Sequence, residues 1–159
     1  MNKVTPFLWF NDNAEEAVIF YTSVFKNSKM GKMNRYPEGS PNGMAGKLMG
    51  GSFEIEGQEF MVMNAGPQFK FTEAISFFVK CETQEEVDYF WEKLTAGGGA
   101  ESQCGWLKDK FGLSWQIIPN ALGELLGDTD PARAGRAMQA MLQMKKIVIA
   151  DLKKAAEGK

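Results

Sequence analysis

Histidine is absent from this chain of 159 residues. That removes the commonest general acid–base at neutral pH and the commonest transition-metal ligand. Ser-His-Asp and Cys-His catalysis are excluded with it. Cysteine occurs twice, at Cys81 and Cys104, without the C-x-x-C spacing of a redox pair or zinc site. Two isolated thiols fit a reduced, cytoplasmic setting. No apolar run approaches the ~20 residues of a bilayer span. The N-terminal residues lack the charged, apolar and small-residue succession of a secretory signal, so no membrane association is expected. Positive charge is also sparse. The net charge is −2, and no basic run exceeds Lys145-Lys146 or Lys153-Lys154, which argues against a nucleic-acid partner.

What is present is a repeat. Pro6-Phe7-Leu8-Trp9-Phe10-Asn11-Asp12-Asn13-Ala14-Glu15-Glu16-Ala17-Val18 reads as a buried strand, a turn and an amphipathic helix. Seventy residues on, Ser76-Phe77-Phe78-Val79-Lys80-Cys81-Glu82-Thr83-Gln84-Glu85-Glu86-Val87 reads the same way. Aligned without a gap, Phe7 meets Phe77, Leu8 meets Phe78, and Asn13 and Glu16 meet Thr83 and Glu86. Both copies then carry a capping box, in which the first side chain accepts from the helix's third residue and that residue's carboxylate reaches back. Ala17, Val18, Tyr21, Val24 and Phe25 recur at helical spacing, as do Val87, Phe90, Trp91 and Leu94. One such unit cannot bury its apolar face alone, and a duplicated one can.

Taken in order, strands are expected over Val4–Phe10, Lys29–Tyr36, Lys47–Ile55 and Glu59–Asn64, with a helix over Ala14–Phe25. The last two strands form a hairpin around Glu56-Gly57-Gln58. The second module repeats this with a strand Ile75–Cys81, a helix Gln84–Leu94 and strands Ser102–Lys108 and Leu113–Ile118. Pro119–Gly127 is a short helix or turn. Asp130-Pro131 is a strong helix start, and that helix runs through Met144, with a break near Lys145 before it continues to Ala156. The domain reading is a single domain over 1–159, with a first module 1–66, a second 67–119 and C-terminal helices 120–159.

Thr5-Pro6-Phe7-Leu8-Trp9-Phe10, Asn64-Ala65-Gly66-Pro67-Gln68-Phe69-Lys70-Phe71 and Cys104-Gly105-Trp106-Leu107-Lys108-Asp109-Lys110-Phe111-Gly112-Leu113-Ser114-Trp115-Gln116 carry a resemblance. Together with the element order they resemble the vicinal oxygen chelate superfamily of glyoxalase I, bleomycin-resistance proteins and extradiol dioxygenases. The wording is nearest its PhnB-like branch, labelled 3-demethylubiquinone methyltransferase-like. The resemblance implies an α+β fold of two βαβββ modules, forming curved mixed sheets around a concave pocket, plus a C-terminal helical extension. It also implies a homodimer. The superfamily's metal-ligand positions fall near Pro6, Met61 or Met63, Ser76 and Gln116, and none is a histidine or carboxylate. Gln116 could offer one carbonyl oxygen, a poor site for a transition metal. The methyltransferase label finds no glycine-rich strand-to-helix turn to hold a methyl donor; Gly50-Gly51 lies inside a strand.

Trp9, Trp106 and Trp115 are candidates to line the pocket or to fill the core. Asn64, Gln103 and Gln116 could orient a ligand, or could be exposed strand residues. Phe69 could cap the pocket, or could pack the link between modules. Cys104 reads as an ordinary thiol. No catalytic residue can be assigned. The leading reading is a small-molecule-binding protein without metal or other cofactor. The alternatives are a metal-dependent lyase, isomerase or dioxygenase, and a dimeric interaction module whose pocket is vestigial.

Overall fold

The computed structural model describes residues 2–159. The chain divides into two compact units at Lys70/Phe71. The first contains β1 (Phe7–Phe10), α1 (Ala14–Val24), β2 (Ser28–Arg35), β3 (Leu48–Ile55) and β4 (Gln58–Asn64). Its strands lie in the order β1-β4-β3-β2, with β1 and β4 parallel and the other pairs antiparallel. The second unit contains β5 (Ser76–Cys81), α2 (Gln84–Thr95), β6 (Ala100–Glu101), β7 (Trp106–Lys108) and β8 (Ser114–Pro119). Its order is β5-β8-β7-β6, with β5 and β8 parallel. The same βαβββ path thus occurs twice, as two open mixed sheets. Three helices follow: α3 (Asn120–Leu126), α4 (Pro131–Leu142) and α5 (Ile149–Ala156).

In the first unit, α1 lays Ala14, Ala17, Val18, Tyr21 and Val24 on one side of the sheet. Tyr21 stacks on Phe53 at 5.8 Å and Phe53 on Phe60 at 5.0 Å, which builds an aromatic column through the core. The β3–β4 hairpin turns at Glu56 (φ 49°) and Gly57 (φ 80°). Two left-handed central residues give the turn whose twist matches the flanking strands.

The two helix starts differ. Thr83 Oγ1 accepts from Glu86 N, and Glu86 Oε2 accepts from Glu82 N, one residue earlier than a standard box. Asn13 makes no cap. The α1 start is satisfied instead by Asn64, whose Oδ1 accepts from Ala14 N at 2.9 Å.

Other boundaries also moved. β1 starts at Phe7, because Val4 is exposed and outside the sheet. The expected strand from Ser102 is interrupted by a turn, with Cys104 at φ 58° and Gly105 at φ 84°, and resumes only at Trp106. That turn anchors the C-terminal helices: Cys104 N donates to Met144 O and Gly105 N to Lys145 O, both at 2.8 Å. Gln84 adds a clamp, its Nε2 donating to Ile147 O and its Oε1 accepting from Ile149 N at the start of α5. Beneath these bonds Ile118, Leu122, Ile147 and Leu152 form a buried cluster. The extension is therefore part of the second unit. No helix among the described residues is long and apolar enough to cross a membrane.

Candidate functional site

Each sheet has one side under its first helix and one side free of that helix, and strand register decides which residues go where. In the first unit Phe7 pairs with Met61 and Trp9 with Met63, and all four share the side away from α1. Phe7 is 53% exposed and Met61 41%. Large apolar side chains on an uncovered sheet face point to a binding surface. Trp9 is fixed in place there. Its Nε1 donates to Gly66 O at 2.9 Å, and its ring meets Phe69 edge-on at 4.9 Å. The expected pair Trp9 and Phe69 is thus brought together.

Asn64 sits on the other side. It is 1% exposed. Beyond its bond to Ala14 N, its Nδ2 donates to Leu48 O and its backbone carbonyl accepts from the Tyr36 hydroxyl. The side chain joins three segments of the unit and is buried out of a ligand's reach. The strand alternation already held this signal, since Asn64 shares parity with the buried Phe60 and Val62.

In the second unit Trp106 pairs with Gln116 on the side away from α2, with Phe78 opposite Gln116 on β5. Phe78 is 54% exposed. Gln116 Nε2 donates to Ser76 Oγ at 2.9 Å. Trp115 is one residue out of phase and so faces α2. It is buried, its ring lies 5.5 Å from Phe77, and its Nε1 donates to Asp109 Oδ2 at 2.9 Å. It is a core residue, and Asp109, in the turn between β7 and β8, is its anchor. Gln103 lies exposed in the turn before β7, apart from the sheet face. Of the seven expected site residues, Trp9 and Phe69 meet in one unit and Trp106 and Gln116 in the other.

The buried Cys81 thiol offers no reactive group at neutral pH. Burial, with Glu86 nearby, pushes the Cys81 thiol up to about 12.

This geometry matches a known family. A family model described as 3-demethylubiquinone-9 3-methyltransferase covers residues 2–118. The chain belongs to that family. With it comes membership of the vicinal oxygen chelate superfamily. The PhnB protein from Bacillus cereus is 40% identical over 74% of this chain and 99% of its own, with a TM-score of 0.69. The fosfomycin-resistance protein FosX from Listeria monocytogenes, solved with Mn(II) and sulfate, is 18% identical over 72% of this chain and 89% of its own, with a TM-score of 0.50. FosX from Mesorhizobium loti is 12% identical over 72% and 89%, with a TM-score of 0.51. At those identities the two FosX proteins share the fold alone. No functionally curated protein matches the chain. The family match ends just before α3, so the C-terminal helices lie outside it.

Proposed function

We propose that the protein binds small, largely apolar molecules on the uncovered faces of its sheets, without a metal ion. The observation that carries this reading is the side-chain set at the superfamily's ligand positions. Pro6 stands there with only a backbone carbonyl, which accepts from Met61 N. Met61 and Met63 are thioethers, and Ser76 and Gln116 are bonded to each other. One hydroxyl, one neutral amide and soft thioethers do not suit Mn²⁺, Zn²⁺ or Fe²⁺, which take imidazole, carboxylate or thiolate. Among the described residues no three His, Cys, Asp or Glu side chains cluster as a metal site requires. The residues present therefore do not fit the superfamily's metal, and no metal-assisted step is derived. Methyl transfer lacks support for a similar reason. The β1–α1 turn is Asn11-Asp12-Asn13 and the β5–α2 turn is Glu82-Thr83, neither a glycine-rich cradle for a nucleotide-like donor.

What the uncovered faces do offer is aromatic and thioether surface with fixed geometry: Trp9 on Phe69, Phe7 beside Met61, and Phe78 beside Gln116. The test is a titration with a panel of neutral aromatic compounds, read by the indole N–H resonance of Trp9 and by calorimetry with the same compounds and with Mn²⁺ and Zn²⁺. The expected result is a saturable shift for at least one compound, with the calorimetric heat of that compound lost in Trp9→Ala, and no metal heat beyond dilution. Stoichiometric metal binding would overturn the reading, as would silence across the whole panel.

The exposed Phe7 and Phe78 and the open edges of both sheets also support self-association, since unpaired strand edges need covering. Light scattering at micromolar concentration is expected to give twice the chain mass of 17.7 kDa. A mass of one chain would contradict the dimer.

A further inference from the structure

The outward face of a surface helix is ordinarily its charged one. α2 follows that rule, with Glu85, Glu86, Glu92 and Lys93 exposed. α4 departs from it. Among its exposed residues only Arg136 is charged, and Arg136 turns aside, its Nε and Nη2 donating to Ala156 O at the end of α5. Pro131, Gly135, Met138 and Leu142 are all exposed and recur at steps of four, three and four, which sets them in one stripe about 60° wide. Met138 is 46% exposed and Leu142 47%. The opposite side of α4 is already used, since Ala137 is fully buried and Ala140 and Met141 pack on the Ile118–Leu152 cluster. The helix is therefore apolar on two sides, and this chain covers one of them.

The stripe carries its own complement. Steps of four and three make the seam of paired helices. Laid antiparallel on itself about a twofold axis between Arg136 and Ala137, it sets Gly135 against Met138 of the second copy, and Pro131 against Leu142. Small then meets large at each level. Nothing lies within 4 Å of where a Gly135 Cβ would stand, and Gly135, Ala132 and Gln139 line an open groove of about 820 Å³ that offers a seat for a methionine side chain. The same axis sets Asp128, just before the helix, level with Lys145, just after it. Acid meets base at both ends, and each helix terminus faces one of opposite polarity. Laid parallel, the stripe would set Met138 on Met138 and Asp128 on Asp128. A lipid surface fits less well, because membrane-surface helices are flanked by Lys and Arg, and Asp128 and Asp130 stand at the start of this one.

We propose that α4 is a self-association face, occupied by α4 of a second copy in antiparallel register. It lies in the C-terminal extension, beyond the family match. It does not depend on the small-molecule reading of the sheet faces and is separate from any pairing through them. One helix of 12 residues covers less than the ~800 Å² per partner of a standard interface. Half-association is therefore expected at ~0.1–1 mM, above the micromolar range of the sheet-face dimer.

The test follows the methionine methyl resonances of the full chain as its concentration is raised through that range. The Met138 methyl is expected to shift saturably while that of Met61, on the uncovered sheet face, stays still. Leu142→Lys should abolish the shift. Gly135→Leu should weaken the association about tenfold by filling the groove. That variant should melt no lower than the parent, since leucine is the better helix former and the position is open. Lys145→Glu should weaken it roughly threefold, because each pair of copies holds two Asp128–Lys145 contacts. A Met138 methyl that stays still throughout would overturn the proposal, as would a shift undiminished in Gly135→Leu. Unchanged association in Lys145→Glu would overturn the antiparallel register. Met61 shifting in place of Met138 would assign self-association to the sheet faces alone. Met138 shifting only when phosphatidylglycerol vesicles are added would replace the second copy with a membrane.

Discussion

Asp109→Ala is expected to lower the stability of the second unit by about 3–5 kcal/mol, the range seen when one partner of a buried charged cluster is removed. Asp109 is 2% exposed, and its carboxylate serves three donors. Oδ1 accepts from Phe111 N at 2.9 Å and Leu113 N at 3.1 Å, and Oδ2 accepts from Trp115 Nε1 at 2.9 Å. Alanine strands all three N–H groups in a turn that is already tight, with Asp109 N bonded to Leu113 O and Gly112 N to Asp109 O. A single bond to an ionised acceptor contributes ~1.5–3 kcal/mol net, and three bonds sharing one carboxylate do not add in full. Asp109→Asn should recover only part of the loss, since its amide presents N–H groups where donors already point. Urea unfolding followed by far-UV circular dichroism and Trp115 emission gives the measurement. A loss below ~1 kcal/mol would show that this carboxylate does not hold the β7–β8 turn.

Gly105→Ala is expected to cost nearly as much and to release the C-terminal helices first. Gly105 has φ +84°, and a Cβ there would come within 2.7 Å of Ile118 Cδ1 and 3.1 Å of both Ile117 O and Ile147 Cγ1. The left-handed backbone alone penalises a side chain by ~1–2 kcal/mol. Overfilling a packed site adds ~1–3 kcal/mol. Ile117 O cannot yield, because it belongs to the β8 ladder, and Ile147 is fully buried. The strain falls on the bonds from Cys104 and Gly105 to Met144 and Lys145. Hydrogen exchange should then show early loss of protection at the Cys104 and Gly105 amides, ahead of the β5–β8 ladder. Simultaneous loss across the unit would contradict this account.

The sequence made the element order legible because each βα start carries its own signals: apolar strands, a polar turn, an acidic first helical turn. It misled at single-residue resolution. Aligned without a gap, Phe7 meets Phe77, yet the uncovered partner of Phe7 is Phe78, with 54% exposure against 53%. Three residues separate β1 from α1, while two separate β5 from α2. Strand side chains alternate, so that one-residue difference swaps the faces. The choice between pocket and core for Trp115 stays open in the sequence for a related reason. Trp115-Gln116-Ile117-Ile118-Pro119 is large and mostly apolar, so alternation is muted, and the pairing of Trp115 with the buried Leu107 reveals the phase.

The start of α1 has a consequence for how the chain assembles. Thr83 and Glu86 let α2 begin from neighbours in sequence, so that helix needs nothing distant to set its first turn. The first turn of α1 depends on Asn64, fifty positions away along the backbone. Closing so long a loop must precede the bond that rewards it. The first helix therefore gains its cap only when the last strand of its own sheet has arrived, and the two βαβββ units mature on different clocks.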